Sequence, residues 1–133
     1  MAFVHRVRVL YSDVDMQGVV FNGRWLYFFD DAMTQFMGSL GYDPTKLFAE
    51  DFDVMLVHAE VDWRAAVGFN DVVDIEVTTA RIGNSSFDLR FDARVRGESA
   101  CEATITYVSI APPEHRPHTI PDEVRAKLEG AAS

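Results

Sequence analysis

The sequence predicts an α+β fold: a curved, five-stranded antiparallel sheet wrapped around one long central helix, with a short helix at the C-terminus. Three observations carry this reading. One stretch repeats its apolar residues with the period of a helix, and five others alternate apolar with polar residues as half-solvated strands do. Turn-type breaks separate the later strands. At 133 residues the chain fits one domain, residues 1–133, with length enough to bury a core.

Residues 3–11, F-V-H-R-V-R-V-L-Y, are rich in Val and aromatics with partial alternation, which predicts the first strand, and a loop follows through 12–22. From Gly23 to Leu40 the apolar residues fall at 25, 28, 29, 32, 33, 36, 37 and 40, one broad face of a helix about 27 Å long. Asn22 is its expected N-cap, and Gly41, with Pro44 beyond it, its expected stop. Residues 54–66 set Val57, Ala59, Val61, Trp63 and Ala65 on one face against His58, Glu60, Asp62 and Arg64 on the other. Three more strands are centred on Val73–Val77, Phe87–Val95 and Cys101–Tyr107. The breaks are "GFND" (68–71), "GNSS" (83–86) and "GES" (97–99). Residues 112–118, "PPEHRPH", read as a proline-rich connector. Pro121 in a first turn, then Asp122, Glu123, Lys127 and a final Gly130, predict the terminal helix. One helix cannot hide every face of five strands, so self-association is expected to cover the sheet edges.

Formal charge is −9, against the basic stripe that a nucleic-acid partner requires and against binding to anionic lipid. It leaves room for an anionic small molecule met by local positive charge. A single cysteine, Cys101, excludes an intrachain disulfide and suits a reducing compartment. The start, "MAFVHRVRVL", alternates and lacks a continuous apolar run, and no stretch approaches the roughly 20 apolar residues of a membrane span. A cytoplasmic location without membrane attachment is the expectation.

The chemistry concentrates in "YSDVDMQGVVFNGRWLYFF", residues 11–29. Asp13 and Asp15 stand beside an apolar, then aromatic, run that leads into the helix. The first N–H groups of a helix have no partner within it and carry the positive end of its dipole. Such a terminus polarises a carbonyl or holds a developing oxyanion. A carboxylate close by attacks the same carbonyl or activates water to do so. Those are the parts for hydrolysis of an ester or thioester, with no cofactor required. Asp-x-Asp is also ordinary turn chemistry, and spacing alone leaves that reading open.

The stretch "Y-S-D-V-D-M-Q-G-V-V-F-N-G-R-W-L-Y-F-F-D" resembles the signature of hotdog-fold acyl-CoA thioesterases, specifically the 4-hydroxybenzoyl-CoA thioesterase/YbgC-like group, in which D-x-D-x-x-G-[VI]-V-[YFW] precedes the central helix. In element order the resemblance covers nearly the whole chain. It implies a hotdog fold, a homodimer or homotetramer with active sites between protomers, and a CoA thioester as substrate. Asp15 would be nucleophile or general base, with Asp13 serving the loop. Gly18 would permit close approach or an unusual backbone angle. The backbone N–H at Asn22 would polarise the thioester carbonyl, with Val19, Phe21 and Trp25 around the acyl group. Two departures are visible. Many members carry His or Tyr where this chain has Asn22, a change that a backbone donor survives and a side-chain role does not. The turn where some relatives meet the nucleotide reads Arg81-Ile82-Gly83-Asn84-Ser85-Ser86 here, so Arg81 would work with Asn84, Ser85, Ser86 and backbone N–H groups.

His58 reads as a solvated strand residue or as part of the acyl pocket. Asp30 and Asp31 read first as structural partners, with Asp30 as a further possible substrate contact by family resemblance. Trp63 suits core or pocket wall, and Cys101 an inert packed thiol. His5, His58, His115 and His118 lack metal-ligand spacing, so no metal is expected. Two other activities share the pattern: a hotdog dehydratase or hydratase of 3-hydroxyacyl thioesters, and a non-catalytic acyl-CoA-binding module.

Overall fold

A computed structural model describes residues 2–42, 52–111, 114 and 116–132. The elements run β1 (Phe3–Arg8), α1 (Arg24–Ser39), β2 (Asp53–Trp63), β3 (Val72–Ile82), β4 (Ser86–Val95), β5 (Glu98–Ala111), β6 (Arg116–Pro117) and α2 (Asp122–Gly130). The strands form one antiparallel sheet in the order β1-β3-β4-β5-β2, with β6 added on β5. Among the described residues the sheet therefore has six strands, not the five expected. The extra one is a two-residue pairing of Arg116 and Pro117 with Ala111 and Ile110, inside the segment read as a connector. Pro117 has no N–H to give a longer ladder, so no strand pattern marks it.

α1 lies across the inner face of the sheet. Trp25, Phe28, Phe29, Ala32, Met33, Phe36 and Met37 are all buried, which makes the 3.6-residue stripe the centre of the core. Each large side chain there contributes about 1.5–3 kcal/mol through burial. Phe29 meets Phe91 of β4 at 5.1 Å between ring centroids, and Phe36 meets Phe3 of β1 edge-on at 5.8 Å. Phe87, Leu89, Phe91 and Ala93 of β4, with Cys101, Ala103, Ile105 and Tyr107 of β5, supply the facing layer. The opposite face is charged: Glu102 holds Arg64 at 2.8 Å and Arg90 at 3.2 Å. α2 packs Val124 and Leu128 into the same core.

Several boundaries differ from expectation. β1 stops at Arg8 instead of reaching Tyr11, because Val9 turns to bond Asn70 and Asp71, and Tyr11–Asp13 coil into a 3-10 turn. α1 starts at Arg24 with Gly23, not Asn22, as N-cap, and no side chain caps it. It ends at Ser39, where Gly41 takes the expected left-handed conformation at φ 106°; Pro44 lies outside the described residues. Pro121 sits at the N-cap of α2, one position before its first turn. β2 departs most. Its alternation predicts a buried face of Val57, Ala59, Val61 and Trp63, yet only Val61 is half-buried, and Val57 and Trp63 are 52% and 56% exposed. Among the described residues β2 is the sheet edge, bonded only to β5, and its register slips between Leu56 and His58.

Candidate active site

The loop between β1 and α1 is built around Asp13. Its carboxylate is buried, and Oδ2 accepts the Leu10 N–H at 2.7 Å. Oδ1 lies 3.1 Å from Arg24 Nε, and the Asp13 carbonyl accepts the Phe21 N–H at 3.0 Å. A buried carboxylate this fully engaged fixes the path of the loop against the start of α1.

Asp15, two residues on, is placed differently. Val14 bridges to Val20, and the Asp15 N–H donates to the Val19 carbonyl at 3.0 Å, so the segment doubles back as a short ribbon. Gly18 closes its turn at φ 79°, donating to the Asp15 carbonyl at 2.9 Å. The unusual backbone angle, not close approach, is what that glycine supplies, for nothing lies within 4 Å of where its Cβ would be. Asp15 Oδ1 accepts the Gln17 N–H at 2.8 Å; Oδ2 has no hydrogen-bond partner among the described residues. One oxygen is thus fixed, and among the described residues the other is free of hydrogen bonds.

Asp15 lines an open cavity of about 430 Å³ with Ser12, Val14, Phe21, Gly23, Arg24 and Tyr27. The Gly23 and Asn22 N–H groups donate to no backbone or side-chain acceptor among the described residues. Of the two, Gly23 shares the cavity with Asp15. Asn22 lines an adjoining cavity of about 290 Å³ with Val19, Trp25 and Trp63, and its carbonyl accepts the Trp63 Nε1–H at 3.3 Å. Trp25 is chiefly core, packed on Phe28 at 5.5 Å.

The remaining expected residues lie elsewhere in the same molecule. The start of β3 sits beside this loop, since Arg8 pairs with Val72, and the 83–86 turn lies at its far end, on the order of 35 Å along the strand. There Arg81 is committed: Nε and Nη2 reach Asp88 at 3.0 and 3.1 Å, and Nη2 also reaches Ser86 Oγ at 2.9 Å. Its pKa is raised by that hydrogen bond to Asp88. Burial raises the Asp88 carboxyl, but the bonds from Arg81 and Thr106 outweigh it and hold the group below its ordinary value. Asn84 and Ser85 keep their side chains without hydrogen-bond partners among the described residues. His58, on the exposed face of β2, lies 3.3 Å from Glu60 and is close enough to Asp88 to lower its pKa. His58 and Arg81 therefore share a neighbourhood that Asp15 does not.

Sequence reasoning missed two residues. Arg125 of α2 donates to the carbonyls of Gly83 and Asn84 at 2.8 and 3.2 Å, bringing a second cation to the turn across 42 residues. No local pattern signals so distant a contact. Arg24 was legible, standing inside the quoted motif, but only as a helix residue.

Two other features are set aside by their chemistry. The depression of about 650 Å³ lined by Phe3, Phe36, Leu40 and Lys127 has one cation, already placed on Glu123 at 3.2 Å and over the Tyr42 ring. Among the described residues no group of three or more His, Cys, Asp or Glu side chains is arranged to hold a metal ion; His115 lies outside them. No helix among these residues is long and apolar enough to cross a membrane.

Comparison with known proteins agrees with this fold. The family model of the thioesterase-like superfamily matches residues 9–128. An acyl-CoA thioesterase YbgC of Haemophilus influenzae is 26% identical over 127 residues, covering 93% of this chain and 92% of that protein. In fold, a 1,4-dihydroxy-2-naphthoyl-CoA thioesterase from Synechocystis superposes with a TM-score of 0.85 at 21% identity, over 96% of each chain. A gentisyl-coenzyme A thioesterase reaches 0.87 at 24% identity, over 95% of this chain and 99% of that one. The chain belongs to the thioesterase-like superfamily, as a hotdog-fold enzyme of the YbgC-like group.

Proposed function

We propose that the protein hydrolyses acyl-CoA thioesters with Asp15 as the working carboxylate. One observation carries the reading: a half-buried aspartate with a single committed oxygen shares a cavity with the uncapped start of α1. The acyl group lies against Phe21 and Tyr27, with its thioester carbonyl toward the free N–H groups at Gly23 and Asn22. Asp15 Oδ2 then attacks the carbonyl carbon, or takes a proton from a water that does so. Either route puts negative charge on the carbonyl oxygen until the C–S bond breaks and the thiolate leaves. Water completes the first route by opening the mixed anhydride, and both yield a carboxylate and free CoA. No cofactor or metal takes part.

The site is completed between protomers of a homodimer or homotetramer. The Asp15 loop and the 83–86 turn stand at opposite ends of β3, so one molecule does not place both on one CoA. A neighbour's turn does, with Arg81, Asn84, Ser85, Ser86 and now Arg125 around the nucleotide phosphates. β2, apolar and exposed along an unpaired edge, suits the joining surface.

The test is thiol release over a panel of aliphatic and aromatic acyl-CoAs, with Asp15→Asn beside the native chain. A positioned base is worth about 10²–10⁴-fold, so kcat of the variant should fall by that much with its melting temperature preserved. Native-rate hydrolysis by a folded Asp15→Asn variant sinks the assignment. An alkene product without thiol release would move the chain to the dehydratases.

A further inference from the structure

The Asp15 cavity holds one further charged side chain that neither the motif nor the proposed chemistry has used. Arg24 is the first residue of α1, where a cation opposes the helix dipole, and the first turn has no acid to offset it. The structure meets that cost with a dedicated mount. Nε lies 3.1 Å from buried Asp13, Nη2 donates to the Ser12 carbonyl at 3.0 Å, and the guanidinium sits 4.7 Å over the Tyr27 ring. Nη1 has no hydrogen-bond partner among the described residues, and the side chain lines the cavity with Asp15 and Gly23. A fork pinned on one edge, stacked on one face and open on the other edge is a rigid donor.

We infer that Arg24 is a further catalytic residue, whose free Nη1 edge donates to the thioester carbonyl oxygen as that oxygen becomes an anion. This rests on the reading of Asp15 given above. In the ground state Arg24 is paired with Asp13 at 3.1 Å and, among the described residues, makes no ion pair with the Asp15 carboxylate. Its directed N–H bonds gain strength only as charge arrives on the carbonyl oxygen, before the thiolate leaves with the electron pair of the C–S bond.

The alternative is that Arg24 only satisfies buried Asp13. Arg24→Gln, Arg24→Lys, Asp13→Asn and the double variant Asp13→Asn/Arg24→Gln separate the two. Loss of one oxyanion donor costs about 10²–10³ in kcat, so Arg24→Gln should lose that much with KM changed only a few-fold. Arg24→Lys, which keeps the charge but not the fork, should recover only part. The double variant has no orphaned acid; its stability should return while its kcat stays at the Arg24→Gln level. Native kcat in either the double variant or Arg24→Gln overturns the inference, as does full rescue by lysine. Should the double variant not fold, the Arg24→Lys result and the kcat-against-KM split decide alone. Asp15→Asn runs alongside: an active Asp15→Asn defeats the underlying reaction, whereas an inactive one beside an unimpaired Arg24→Gln defeats only this step.

Discussion

The two α-helices among the described residues begin in opposite ways. α2 opens with Asp122 and Glu123 in its first turn and carries Lys127 in its last, so its charges complement its own dipole at both ends. α1 has no acid in its first turn, a cation as its first residue and a glycine N-cap without a side-chain hydrogen bond. α2 is arranged for its own stability. α1 draws its stability from seven buried side chains and has no side-chain cap, so that among the described residues the Gly23 and Asn22 N–H groups before its first turn are left without acceptors, Gly23 beside a cavity and a carboxylate. A helix held by packing can spare its terminus for a ligand; a nine-residue helix on the surface cannot.

Giving α1 the start that α2 has should break this contrast most visibly. Gly23→Asp puts a carboxylate where a developing oxyanion would lie. The new Cβ meets only the ring edge of Phe21 at 3.3 Å, and that exposed side chain can shift. A fall in kcat of about 10²-fold or more, with no loss of melting temperature, is expected from paired activity and thermal measurements. An active variant would mean that the α1 terminus is not where the carbonyl binds.

Asp13→Ala comes next and acts on stability. It removes the partner of Arg24 and the acceptor of the Leu10 N–H, at a cost of about 2–4 kcal/mol once the partial exposure of Arg24 is allowed for. Denaturant unfolding reads this directly. A loss below about 0.5 kcal/mol would mean that the loop does not depend on that carboxylate. The smallest effect belongs to α2. Glu123→Ala removes one first-turn acid and an i,i+4 contact with Lys127, worth a few tenths of a kcal/mol, and should leave kcat unchanged. A large loss of activity there would tie α2 to the chemistry and erase the distinction.

Much of this was readable from residue order, and the exceptions have physical causes. The α1 stripe was legible because eight apolar positions at one period leave a single solution, and seven of the eight are buried. Asp13 is buried and bonded through both oxygens whereas Asp15 keeps one oxygen without a partner among the described residues, a difference that spacing alone, which treats the two alike, does not show. The end of β1 was not legible, because a side-chain carboxylate takes the Leu10 N–H that a longer ladder would need. Nor was the exposure of β2: alternation reports that a strand has two unlike faces, whereas strand order decides whether the apolar one is covered. Asn22 was expected to cap and to donate, and the helix begins one residue later, with Gly23 beside Asp15. Arg125 reaches the 83–86 turn only through tertiary packing.

Cys101 gives the architecture a practical consequence. It is fully buried in β5, opposite Trp63 on one side and Ala93 on the other, and burial pushes its pKa up to about 12. A reagent that reports thiols by colour therefore sees released CoA and not the enzyme, and assays of this protein carry no background of their own while it is folded. Once the β2 border of the sheet separates, the same sulfur comes within reach. The rate at which it then reacts is a clock for that opening, read without adding a label.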